Sequence, residues 1–157
     1  MRVLELYRRL AGKPGGRWLF SRLVCWKAPY FASIAPRIVS LEPQRGVARL
    51  RHRRRVSNHI GSVHAIALCN LAEFVGGLTC EASLPRGMRW IPKGMQVEYL
   101  KKAQGAMTAT ATPAFVAETA ASGYELPYHV SIVDDAGVEV FRAVIAMWIS
   151  PQPERAS

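Results

Sequence analysis

The chain has 157 residues, half of them hydrophobic and a fifth charged, with a formal net charge of +10 and a pI near 10.2. That length suits one domain with a real core, and the composition excludes a disordered or fibrous chain. The basic balance points to polyanionic partners (nucleic acid, anionic lipid or a phosphorylated small molecule) without choosing among them.

The three cysteines, Cys25, Cys69 and Cys80, form no CxxC pair. They read as reduced core thiols of a cytoplasmic protein. Glu5, Arg8 and Arg9 interrupt the N-terminus before a signal-peptide apolar region forms, and no stretch is expected to be apolar for long enough to cross a bilayer.

In chain order, Leu4, Leu6, Tyr7 and Leu10 predict a short first helix, which Lys13-Pro14-Gly15-Gly16 ends. Trp18, Leu19, Leu23, Val24 and Trp26 predict a second helix with an apolar face, ending near Pro29. A strand is expected over 37–41, a turn over 42–46 and a second strand over 47–56, the two strands making a hairpin. In the second strand Arg49, Arg51, Arg53 and Arg55 share one face; Ala48, Leu50 and His52 share the other, which Arg54 interrupts.

From Val63 to Cys80 the chain is apolar almost all round, which marks a buried helix. Gly76 and Gly77 lower its helix propensity but allow close packing on a sheet. Pro85-Arg86-Gly87 ends this unit. Strands are then expected over 95–100, 106–112, 124–133 and 138–149, with a hairpin turn at Asp134-Asp135-Ala136-Gly137. Residues 113–121 fit a short helix or a loop, and the tail after Pro151 is expected to fray. The order is helices, two strands, one buried helix and four strands. It predicts an α+β layer structure with antiparallel neighbours.

Glu73 is the only acidic residue between Ser62 and Cys80. A lone carboxylate in an apolar segment needs a partner, a raised pKa or a solvated pocket. An ion pair with an arginine, or a water-facing helix edge, explains its spacing as well as a functional site does. Asn58, His59 and His64 lie at the start of the same helix, where free backbone N–H groups and the dipole could hold an oxyanion. The alternatives are that Asn58 caps a turn and that His64 is a satisfied core histidine. No GxGxxG, GKS, GKT, GxSxG or HExxH motif occurs, and the four histidines lack metal-ligand spacing. This argues against nucleotide hydrolysis, serine-hydrolase chemistry and zinc catalysis.

The run Asn58-His59-Ile60-Gly61-Ser62-Val63-His64-Ala65, followed by Leu71-Ala72-Glu73, resembles a signature of the PaaI-type hotdog thioesterases. That signature reads Asn-x-x-Gly-x-x-His-Gly-Gly, then Leu-Ala-Asp or Leu-Ala-Glu, with the same spacing from histidine to acid. Val97 to Gly105 resembles the family's strand ending Tyr-Leu-Arg-Pro-Ala-Arg-Gly, and the chain around Ala28-Pro29-Tyr30 looks closest to an uncharacterised branch of the clan.

The resemblance implies an α+β hotdog fold: an antiparallel sheet wrapped around one long central helix. Here residues 30–150 would form that domain, 1–29 a helical extension and 151–157 a tail. It implies a homodimer with edge-joined sheets, or a homotetramer, in which the acid of one subunit faces the helix N-terminus of the other. Carried over by position, the catalytic set is Glu73, Asn58, His64 and Ala65. Glu73 would act as base or nucleophile, Asn58 would position carbonyl or water, and the Ala65 N–H would polarise the thioester oxygen. Lys101 and Lys102, at a strand end, would meet coenzyme A phosphates, with a solvated strand end as the equal alternative.

The implied substrate is an acyl-CoA or acyl-carrier thioester. No cofactor or metal is implied beyond the substrate's own coenzyme A. The family's His-Gly-Gly is His64-Ala65-Ile66 here, which leaves non-catalytic acyl-thioester binding as the alternative. Nucleic acid is not expected as a partner, because the arginine face lacks interleaved aromatics.

Overall fold

The computed structural model describes residues 2–153. Two helices come first, α1 (Val3–Ala11) and α2 (Gly16–Lys27). Strands β1 (Arg37–Glu42) and β2 (Arg45–Leu50) form a hairpin and α3 (Ala65–Ser83) follows. β3 (Met88–Tyr99), β4 (Met107–Pro113), β5 (Tyr124–Val133) and β6 (Glu139–Pro151) complete one antiparallel sheet in the order β1-β2-β4-β5-β6-β3. β1 and β3 are therefore its edges.

All six strands touch α3. Leu71, Ala72, Phe74 and Val75 are fully buried against the inward rows of the strands, among them Leu50, Met107, Leu126, Ile132, Phe141 and Met147. Each large apolar side chain removed from water there contributes about 1.5–3 kcal/mol. The helix sits close because the sheet is small-residued beneath it: Ala109 and Ala111 are fully buried, and a Cβ at Gly46 of β2 would collide with Thr79 Oγ1. α3 is long and apolar enough to span a bilayer, with a mean hydropathy of 1.3, which corrects the expectation that no stretch reaches that limit. Its apolar surface is covered by the protein's own strands, with 72% of that window buried.

Several boundaries differ from the sequence expectation. β2 stops at Leu50, and Arg54–Val56 coil into a 3-10 turn instead of extending the strand. Arg53 and Arg55 there donate to the carbonyls of Ile34 and Ala32, each at 3.0 Å. β3 begins at Met88, ahead of the expected 95. Pro92 and Gly94 read as breakers, but on an edge strand both are tolerated around a bulge at Lys93. Residues 114–120 are irregular, the loop of the two alternatives. The chain beyond Pro151 is tied at Gln152, whose N–H donates to Gly87 O at 2.8 Å. Residues 154–157 of the expected frayed tail lie outside the described residues.

The largest difference is the orientation of α2. Phe20, Ser21 and Cys25 are buried; of the expected apolar face only Val24 packs against the core, whereas Trp18, Leu19, Leu23 and Trp26 are exposed. Ser21 explains the choice: its Oγ accepts the Ile38 N–H of β1 at 2.9 Å and donates to Arg17 O at 2.8 Å. α2 thus covers a sheet edge that would otherwise present unpaired backbone groups.

Candidate active site on the open stripe of the central helix

α3 starts where His64, in extended conformation at ψ 138°, caps it. The His64 Nδ1 accepts the Ile66 N–H at 3.1 Å, and its carbonyl accepts from Ala67 and Leu68. His64 is exposed, so it is a cap and not a core histidine. The Ala65 N–H, first of the helix, has no partner among the described residues. It is a free donor at the positive end of the helix dipole.

Asn58 shapes the approach to that point. Its Oδ1 accepts the N–H groups of Ile60 and Ser62 at 3.1 and 3.0 Å, around Gly61 at φ +71°. Its carbonyl oxygen is thereby committed to the turn. The segment is then pinned by Val63 N–H to Ala103 O at 2.9 Å and His64 N–H to Val56 O at 2.8 Å.

Glu73 lies two turns along. α3 is buried on most sides, and Ile66, Cys69 and Glu73 form the stripe that stays open. The stripe runs under β3: the Cys69 thiol meets the Tyr99 hydroxyl at 3.2 Å, and a Cβ at Gly77 would lie 2.9 Å from the Trp90 ring. Met95, Val97 and Tyr99 occupy the inward row of β3, opposite Ile145, Ala143 and Phe141 of β6. The Tyr99 ring also packs edge-on against Phe141 at 5.5 Å. Glu73 is half-buried beside this apolar floor, and no ion pair or hydrogen bond engages its carboxylate among the described residues. The hydrogen bond with Cys69, together with burial, pushes Tyr99 up to about 12, so its hydroxyl stays protonated.

Lys101 and Lys102 are exposed and lie in the loop after β3, not on the strand, which closes at Tyr99. The same loop supplies Ala103 O to Val63, so the lysines flank the start of α3. Asn58, His64, Ala65, Lys101 and Lys102 thus gather at one end of the helix, and Glu73 stands apart from them. Cys69, expected as a core thiol, is instead partly accessible, and neither it nor Tyr99 was singled out as a site residue from the sequence. The helical spacing from Cys69 to Glu73 was the available signal for the first of them. No cluster of three or more His, Cys, Asp or Glu side chains suited to a metal occurs among the described residues. Two clefts, of about 800 and 480 Å³, lie elsewhere and neither is lined by Glu73.

The family model for the domain of unknown function DUF4442 matches residues 16–149. A crystal structure from structural genomics is 42% identical, with a TM-score of 0.80, covering 96% of this chain and 97% of its own. A thioesterase from Haemophilus influenzae is 16% identical with a TM-score of 0.69, covering 82% of this chain and 87% of its own. A Streptococcus mutans protein bound to acetyl CoA is 16% identical with a TM-score of 0.61, covering 73% and 88%. No curated protein matches the chain. The chain belongs to the DUF4442 family and has the hotdog fold of these structures, an antiparallel sheet wrapped around a central helix.

Proposed function

We propose that the protein is a thioester hydrolase acting on acyl-CoA, or on an acyl-carrier thioester, with Glu73 as its carboxylate. The observation that carries this reading is that Glu73, the only acid between Ser62 and Cys80, sits on the open stripe of α3 with no ion pair or hydrogen bond among the described residues. The acetyl CoA bound to the Streptococcus mutans neighbour supports the substrate class, and Lys101 and Lys102 suit its phosphates.

Acting as base, Glu73 takes a proton from water as the oxygen attacks the thioester carbon. The Ala65 N–H steadies the developing oxyanion, the C–S bond breaks, and the thiolate recovers the proton. As nucleophile, Glu73 would attack the same carbon and expel the thiolate, leaving a mixed anhydride that water then hydrolyses to the free acid and the restored carboxylate. A thioester is already activated, so one carboxylate and one donor suffice.

These two groups cannot meet within one chain. Ala65 and Glu73 are eight residues apart on one helix, about 12 Å at the helical rise per residue. Attack and oxyanion binding both need contacts of roughly 3 Å to one carbonyl. The reading therefore includes a homodimer that joins through the edge strand β3 and brings the α3 N-terminus of a second copy to Glu73. A tetramer of such dimers is compatible with it, and three free cysteines suit a reducing cytoplasm.

A second reading is acyl-thioester binding without cleavage. It is favoured by Ile66, 56% exposed on the site stripe where the resembling family has glycine. A thiol-release screen over short, long and aromatic acyl-CoAs separates the two. Turnover supports hydrolysis, whereas calorimetric binding without thiol release supports the second reading.

A further inference from the structure

A groove of about 800 Å³ runs between α2 and the β1–β2 hairpin, away from Glu73. Arg17, Arg22, Arg37, Arg49, Arg51 and Arg53 line it. Arg37 and Arg49 stand directly opposite each other across the strands, an unfavourable like-charge pair. Arg49 alone of the six has a carboxylate partner among the described residues, Asp135 at 2.6 Å. Such a groove calls for an anion with several phosphates or carboxylates.

Beside it, α2 turns its apolar residues outward. Trp18 is 51% exposed and Trp26 84%, with Leu19 and Leu23 exposed between them on the same helix face. Tyr30, 71% exposed, follows in the next turn. Trp18 and Arg22 belong both to this face and to the groove. The covered side of α2 is fixed by the Ser21 hydrogen bonds, so the apolar face is a consequence of how the helix caps β1.

We propose that this surface docks on an anionic phospholipid bilayer, the arginines meeting headgroup phosphates while Trp18, Leu19, Leu23 and Trp26 enter the interface. A bilayer satisfies both halves of the surface at once, and Trp with Arg at such a boundary is what the interface favours. A nucleic acid would engage the arginines and the rings but leave the leucines without a partner. A second copy would set arginine against arginine. Docking is independent of the hydrolase reading, because none of these residues belongs to the Glu73 stripe.

The test is co-sedimentation of the full chain with vesicles of phosphatidylcholine containing about one-third phosphatidylglycerol, against pure phosphatidylcholine. Binding is expected to the anionic vesicles only and to disappear at about 0.5 M salt. Trp18→Ala/Trp26→Ala should weaken it about tenfold or more. Arg22→Ala, an exposed and independent position, should weaken it about fivefold. The proposal is overturned by no preference for anionic vesicles, by unchanged binding of both variants, or by light scattering in which the tryptophan variant dissolves an assembly of the wild type. Duplex DNA binding lost in the same variants, with no vesicle binding, would overturn it in favour of nucleic acid.

Discussion

The Cys69 thiol and the Tyr99 hydroxyl lie 3.2 Å apart, which ties the edge strand β3 to α3 one turn before Glu73. Cys69 is partly accessible, whereas Cys25 and Cys80 are buried. A thiol reagent such as N-ethylmaleimide should therefore react first at Cys69 and place its adduct beside the carboxylate. Thiol release by the wild type should fall on treatment, and that of Cys69→Ala should not. Equal inhibition of both would place Cys69 away from the substrate.

Glu73→Gln keeps the shape of the side chain and removes its charge. Turnover of the best acyl-CoA should drop about 10³-fold, the scale of a lost general base. Thermal stability should stay level, because no ion pair or hydrogen bond of the carboxylate is broken among the described residues. Steady-state kinetics and a melting curve on the same preparation check both halves.

Asn58 and His64 act on the backbone of their own chain, so conservative replacements should separate structure from chemistry. Asn58→Asp keeps the acceptor for Ile60 and Ser62, and His64→Asn keeps a cap for α3. Both should retain most stability, while Asn58→Ala and His64→Ala should each cost about 1 kcal/mol. Urea titrations measure this. A large loss of turnover in His64→Asn, with stability intact, would give His64 a direct part in the reaction.

Alkali should weaken the fold from about pH 9. Burial raises the Cys80 thiol from its ordinary 9.0 to about 12, and the hydrogen bond with Cys69 holds Tyr99 up to about 12. Burial pushes the Tyr128 phenol up as well. Above pH 9 the unfolded chain has released protons that the folded chain still holds. Stability is thus fully present below the unfolded values and is lost as pH rises toward the folded ones. Denaturant melts from near pH 8 to near pH 11 should show the decline, and Cys80→Ala should flatten it.

The helix and Glu73 were plain in the sequence, since an all-round apolar segment has one folded fate and Glu73 is the only acid between Ser62 and Cys80. That Asn58 caps a turn, one of its two readings, was legible for the same local reason. What escaped was set by tertiary partners. Trp18 and Trp26 mark an apolar face by periodicity, yet α2 turned it outward because Ser21 had an edge strand to satisfy. Pro92 and Gly94 hid the first half of β3, since their tolerance depends on the strand being an edge. The contact between Cys69 and Tyr99 joins residues thirty apart, which no local pattern encodes.

The central claim is that Glu73 of one chain works with the Ala65 N–H of another. Ala65→Pro deletes that N–H at the first helical position, where proline is favoured, and His64 before it is already extended. Alone, Ala65→Pro and Glu73→Ala dimers should both be inactive. A purified mixed dimer concentrates both defects in one shared site and leaves the other intact, so it should recover about half of wild-type thiol release. A mixed dimer as inactive as its parents would contradict the shared site.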